Sequence, residues 1–258
     1  MLKTILKPIL FVLACLSMAE AHAGNCLNIK APQGRYGVNL QGRLVSGAPY
    51  AAVGTVNMST SSFTLNLKVS EGGAFSDKAI QGTVLLEDCG LTLASTDTKT
   101  GFVLKGQLAA RGKEIFVTEI QSSNPVVASG LMRPVGLKSC STATLKGHYD
   151  LVSQGYSLGA AGYAPVGAVG DEVFNGKGCS AYSMTVKNGA DIVDSSAIRS
   201  YQVYENCTFE LDTNGQPSLY GVVVDKGQGL AIMTLTPGTV RTGEYSRAGS
   251  DSQAAGCP

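Results

Sequence analysis

Two stretches of the chain, GRYGVNLQG at 34–42 and GHYDLVSQG at 147–155, share one pattern: Gly, any residue, Tyr, five residues, Gly. The match continues downstream. AAVG (51–54) answers GAVG (167–170), LLEDC (85–89) answers VYENC (203–207), and VVASGLMR (126–133) answers TVRTGEYSR (239–247). The offset stays between 113 and 118, so the halves differ by small loop insertions. Stacked solenoid units repeat every roughly 20–50 residues. This longer period fits two whole domains in tandem. Whatever one half folds into, the other must fold into as well.

Each unit consists of short runs rich in Val, Leu, Thr, Phe and Tyr, with partial alternation such as FTLNLKV (63–69). Strands are expected near 35–44, 51–59, 62–70, 79–87, 90–96, 101–110, 113–121 and 126–134. Between them stand turn-forming segments such as SEGGAF (70–75), KNGAD (187–191) and DTNGQP (212–217). No amphipathic helix interrupts the series. Eight runs joined by tight turns suit an all-β fold of two tandem antiparallel up-and-down β-barrels. Two-sheet β-sandwiches are the alternative, because periodicity does not report closure.

The N-terminus reads as an export signal. Lys3 and Lys7 precede the apolar run PILFVLACLSMA (8–19), and AHA (21–23) is a small-residue cleavage site. The expected domains are therefore a signal peptide at 1–23, a barrel at 24–137 and a barrel at 138–258. Cleavage before Cys15, leaving a lipid anchor, is the rival to a free secreted or periplasmic chain. No later run is long and apolar enough for a transmembrane helix.

Without Cys15, six of the seven cysteines remain. In an exported chain they read as a disulfide framework. Cys26 and Cys140 occupy equivalent places before the two Gly-x-Tyr motifs, and Cys89 and Cys207 correspond. Cys179 and Cys257 have no counterpart in the first unit. The repeat thus suggests pairs Cys26–Cys89, Cys140–Cys207 and Cys179–Cys257, one of the fifteen arrangements open to six cysteines. No Cys-x2–4-Cys spacing signals a metal site. The 20 basic and 19 acidic residues become 18 of each once Lys3, Lys7 and Glu20 leave with the leader. That balance gives no general attraction for nucleic acid.

The Gly-x-Tyr motif opening an eight-strand meander resembles the lipocalins and wider calycins, and the allene-oxide-cyclase-like barrels. In lipocalins the motif is Gly-x-Trp, with a basic residue from the barrel's end packed across the Trp. Tyr36 and Tyr149 stand in that place here, with Arg133 and Arg247 as the basic residues. The lipocalin Thr-Asp-Tyr motif is absent. The resemblance implies binding of a small ligand in a barrel mouth.

Chemistry is sparse. His148, beside Tyr149 on a strand, faces the opposite way and reads as an outward scaffold position. Glu87 and Glu205 form a repeated acidic position at a strand end. The pair Asp171–Glu172 cannot flank one scissile bond, because adjacent strand residues point to opposite faces. No nucleophile motif, phosphate loop or cofactor motif is present. The remaining candidates are aromatic: Tyr36, Phe63, Phe102 and Phe116 in the first unit, and Tyr149, Tyr182, Tyr201 and Tyr220 in the second. They are expected in the barrel interiors, as core or as ligand contacts. The sequence leans away from an enzyme and toward a binder of one small apolar or amphipathic molecule. A structural or adhesive surface protein with filled barrels is the second class. A barrel isomerase or cyclase acting on a hydrophobic substrate is the third.

Overall fold

The computed structural model describes residues 31–99, 101–109, 112–121, 126–250 and 256–257. The first eight strands are β1 (Gly34–Leu44), β2 (Pro49–Met58), β3 (Ser62–Glu71), β4 (Ala74–Glu87), β5 (Gly90–Ser95), β6 (Val103–Ala109), β7 (Glu114–Gln121) and β8 (Val126–Pro134). The second eight are β9 (Lys146–Gly159), β10 (Gly162–Asn175), β11 (Cys179–Asn188), β12 (Asp191–Val203), β13 (Thr208–Thr213), β14 (Gln216–Val224), β15 (Gly229–Thr234) and β16 (Thr239–Gly249). Within each set of eight, every strand pairs antiparallel with the next. β8 returns to β1, and β16 to β9, so both sheets close into barrels. Closure excludes the sandwich alternative.

The turns explain the short connections. Gly72 and Gly73 both have positive φ, 60° and 88°, the backbone of a two-residue hairpin that follows the strand twist. β4 therefore starts at Ala74, five residues before its expected start.

The first barrel has an aliphatic interior. Val38, Leu40, Ala52, Val56, Leu65, Val69, Leu93, Ile115 and Met132 are fully buried within one cluster. Tyr36, Phe63 and Phe102 belong to the same core.

The barrels are docked side by side. Almost every residue of β2 and β15 is buried, although alternate residues face out of their barrels. A strand buried on both faces is apolar throughout, which accounts for runs such as GLAIM (229–233). Ala51 and Val53 of β2 join the second barrel's core cluster. Gly37 leaves room for the second barrel, since a β-carbon there would lie 2.5 Å from Val224 Cγ1. Polar contacts cross the junction. Asn39 Nδ2 donates to the Gly243 carbonyl, Tyr163 OH to the Gly72 carbonyl, and Arg133 pairs with both Asp225 and Glu244. The connection between the barrels is packed too: Val135 is fully buried and exchanges backbone bonds with Arg35 and Lys226.

Arg133 thus departs from the expected packing across Tyr36. It sits opposite Gly37 on β1, on the face turned to the second barrel. Arg247 stands opposite Tyr149; burial raises that phenol, and the charge of Arg247 partly offsets the rise.

Cys140–Cys207 and Cys179–Cys257 are disulfide-bonded, matching two of the pairs suggested by the repeat. Both lie at the end of the second barrel where β9 begins. Cys89 is also disulfide-bonded. Its expected partner Cys26, the leader and Cys15 lie outside the described residues. Disulfides are the usual mark of an extracytoplasmic protein. No helix among the described residues is long and apolar enough to cross a membrane.

Candidate functional site

The second barrel's interior is layered. Its floor is aromatic. Phe174 meets Tyr149 and Tyr201 edge to face, with centroids 5.4 and 5.1 Å apart. The two phenols are tied down at the same end: Tyr149 OH donates to the Gly227 carbonyl at 2.8 Å, and Tyr201 OH to that of Leu145 at 2.8 Å. Tyr149 and Tyr201 are therefore built into the core.

Above the floor the alternation brings charged residues inward. Glu172 shares its face of β10 with Phe174, and Arg199 shares its face of β12 with Tyr201. Glu172 is fully buried and accepts three hydrogen bonds. Ser180 Oγ donates to Oε1 at 2.6 Å, while Arg199 Nη1 and Tyr245 OH donate to Oε2. The Arg199 guanidinium lies 3.7 Å above the Tyr182 ring. Tyr182 OH in turn shares a hydrogen bond with Ser195. Arg241 enters from β16, and its Nε donates to Thr234 Oγ1 at 3.1 Å.

Burial and the adjacent Glu172 push the Tyr245 phenol well above its usual value, so it stays a donor. Burial disfavours the Arg199 charge, but Glu172, Tyr245 and Tyr182 together outweigh it and the net shift is upward. Arg241 is lowered, by burial first and also by the charge of Arg199.

Solvent reaches this layer from one end. Among the inward-facing residues of β12, exposure rises from 8% at Arg199 to 57% at Val193. Tyr182, Val186 and Arg241 are only partly buried. Small residues, Ala168, Gly170, Ala197 and Gly243, face the same space. Two buried polar atoms lining it, Arg199 Nε and Ser153 Oγ, have no hydrogen-bond partner among the described residues.

Of the aromatic candidates, only Tyr182 stands in this chamber. Two were expected inside and lie outside. Phe116 is 56% exposed, because Ile115, Val117 and Glu119 take the inward positions of β7. Tyr220 faces the first barrel, with Lys68 Nζ 5.4 Å from its ring centroid, because Leu219 and Val223 take the inward positions of β14. Glu87 and Glu205 are exposed. His148 lies on the outer face, its Nε2 3.4 Å from Asp171.

Ser180, Arg199, Arg241 and Tyr245 were not singled out from the sequence, and Glu172 was weighed only as half of the pair Asp171–Glu172. A usable signal existed: in DEVF and IRSYQV a charged residue stands two places from an inward aromatic. The first barrel carries a smaller analogue, in which Tyr50 bonds to the buried Glu119 and its phenol is pushed far up, chiefly by burial.

A shallow groove of about 1140 Å³ runs between the barrels, lined by Gln41, Arg43, Phe116, Val127, Val152 and Tyr156 among others. Among the described residues, no group of three or more His, Cys, Asp or Glu side chains could hold a metal ion.

No family model matches the chain, and no curated protein matches it. Among solved structures it is similar to kievitone hydratase from Nectria haematococca, at 6% identity and a TM-score of 0.30, covering 88% of this chain and 93% of that one. It is also similar to a DUF3598-family protein of unknown function from Nostoc punctiforme, at 10% identity and TM-score 0.25, covering 84% and 96%. A porin-like protein from Bacteroides uniformis matches at 8% identity and TM-score 0.21, covering 84% and 97%. None of these likenesses bears on what this chain does.

Proposed function

We propose that the chain is an exported, calycin-like binding protein whose second barrel takes one small amphipathic molecule, while the first barrel serves as a filled partner. The supporting observation is the contrast between the interiors. The first is packed mainly with fully buried aliphatic side chains, around the bonded pair of Tyr50 and Glu119. The second holds a buried polar cluster, reached by solvent from one end, in which the Arg199 Nε lacks a partner. Burying such a donor unpaired costs about 1–3 kcal/mol, which an arriving acceptor recovers. An eight-stranded barrel is wide enough for one small ligand.

The test is fluorescence titration with N-phenyl-1-naphthylamine, a neutral apolar probe. Saturable enhancement in the native chain is expected, together with its loss in Ala197→Phe, which fills the chamber. Unchanged titration of a folded Ala197→Phe chain would move the site elsewhere.

A second reading is adhesive. It draws on the inter-barrel groove, where Val127 and Val152 are 71% and 63% exposed. If the probe is displaced by Val127→Asp and not by Ala197→Phe, the groove is the binding surface.

A further inference from the structure

The groove between the barrels has an ordered lining, because strand register sets its residues out in rungs. In the first rung Phe116 and Leu131 stand opposite each other on one wall, level with Asn39 on the floor. Asn39 Nδ2 reaches the Gly243 carbonyl across the junction, and the adjoining Glu244 stands opposite Val152 on the other wall. Two residues along, the second rung holds Thr118, Ser129 and Gln41, whose Nε2 donates to the Gln154 carbonyl. Two further along stand Val127 and Arg43, with the Arg43 guanidinium 4.3 Å from the centroid of the Tyr156 ring. The groove is thus apolar, then polar, then apolar along its length. Each two-residue step of a strand is about 7 Å, so the outer rungs lie about 14 Å apart.

Resting on the adhesive reading of the groove, and independently of the barrel interior, we infer that this groove binds a neutral oligosaccharide chain. Among the residues that line it, Arg43 is the cation and Glu244 the anion. Both are engaged: Glu244 pairs with Arg133, and Arg43 is held by the Gly47 carbonyl and the Tyr156 ring. A charged polymer therefore finds no excess of either sign. An extended peptide finds no open strand edge, since both barrels close. A hydrocarbon chain would strip water from the polar middle rung without replacing its hydrogen bonds. A sugar chain meets none of these objections. Its rings carry apolar C–H faces, for which the exposed Phe116 ring offers a surface. Its hydroxyls both donate and accept, as do the exposed hydroxyls of Thr118 and Ser129 and the Gln154 amide. The span from the first rung to the third suits several linked sugars rather than one.

The experiment titrates the full oxidised chain with maltohexaose, cellohexaose and chitohexaose, followed by saturation-transfer difference NMR. Glucose, N-acetylglucosamine and a hyaluronan hexasaccharide serve as comparators. At least one neutral hexasaccharide should bind saturably and about tenfold or more tighter than its monosaccharide, which reaches a single rung. Added salt should leave that affinity unchanged, because no charge pairing is screened. Phe116→Ala and Gln154→Ala should each weaken binding about tenfold at an unchanged melting temperature, since both side chains are exposed. Phe116→Tyr should retain binding. Leu85→Ala, which removes a comparably exposed side chain from β4, should change nothing. Binding of none of the three neutral chains overturns the sugar assignment, as does full binding by Phe116→Ala or tighter binding of hyaluronan than of every neutral chain. In those cases the naphthylamine probe judges the groove itself: lost enhancement in Val127→Asp keeps it as a binding surface, and unchanged enhancement refutes it too. A dimer in sedimentation that Val127→Asp dissociates assigns the groove to a second copy of the chain and likewise overturns the inference.

Discussion

Tyr245 OH donates to Glu172 Oε2 across the second barrel, joining β16 to β10 where neither side chain touches solvent. Tyr245→Phe removes that donor and keeps the ring. The carboxylate loses one of three partners, and leaving a buried acceptor short costs about 1–3 kcal/mol. Urea unfolding should show a loss of that size with unchanged barrel spectra.

The same bond gives a pH signature. Burial raises the phenols of Tyr50, Tyr149, Tyr201, Tyr220 and Tyr245, with Tyr220 pushed up to about 12. The folded state holds these protons longer than the unfolded chain, whose phenols titrate near pH 10. Their stabilisation is therefore intact below about pH 10 and is lost as pH climbs from there toward the folded values, at roughly 1.4 kcal/mol per unit for each proton. For Tyr220 that window spans about 10 to about 12. Unfolding monitored from pH 8 upward should show a plateau and then a decline. Replacing Tyr245 by Phe should reduce the slope by one proton.

Gly37 marks the closest approach of the two barrels. Gly37→Ala would place a methyl 2.5 Å from Val224 Cγ1 and push the junction apart. Overpacking of this kind costs about 1–3 kcal/mol. A destabilised chain with intact β-structure is the expected result, and an unaffected melting curve would mean the junction is loose. The same junction bears on whether fragments 24–137 and 138–258 fold alone. The isolated second fragment would expose Val222, Val224, Ala231 and Met233, so it should self-associate in sedimentation.

His148→Arg copies the first unit. His148 lies on the outer face with its Nε2 3.9 and 3.4 Å from the carboxylates of Asp150 and Asp171, and an arginine can reach both. The change should cost no more than about 0.5 kcal/mol and leave probe binding intact, by thermal melt and titration. A binding loss at unchanged melting temperature would give His148 a functional role.

Non-reducing peptide mapping should link Cys26 to Cys89 and show no bridge between 24–137 and 138–258. Removing Cys140–Cys207 by a double alanine change should cost about 2–4 kcal/mol by freeing the unfolded chain.

The strand count, the duplication and the turn positions were legible because they are local: period-two patterning and Gly-rich hairpins are set by residues near one another. The inward aromatics Tyr149 and Tyr201 followed from the same alternation. What sequence alone did not decide was which face of a two-sided apolar strand turns inward. Tyr220 and Val222 alternate with Leu219 and Val223 in one hydrophobic run, and only the docking of one barrel on the other separates them. Phe116 was misplaced for a related reason, since its strand buries Glu119 instead. Glu172, Arg199, Arg241 and Tyr245 come from three strands distant in the chain, and an isolated charge in a strand reads as a solvated face. Barrel closure makes them neighbours. The buried network of Glu172 with Ser180, Arg199 and Tyr245 exists only once the sheet has closed.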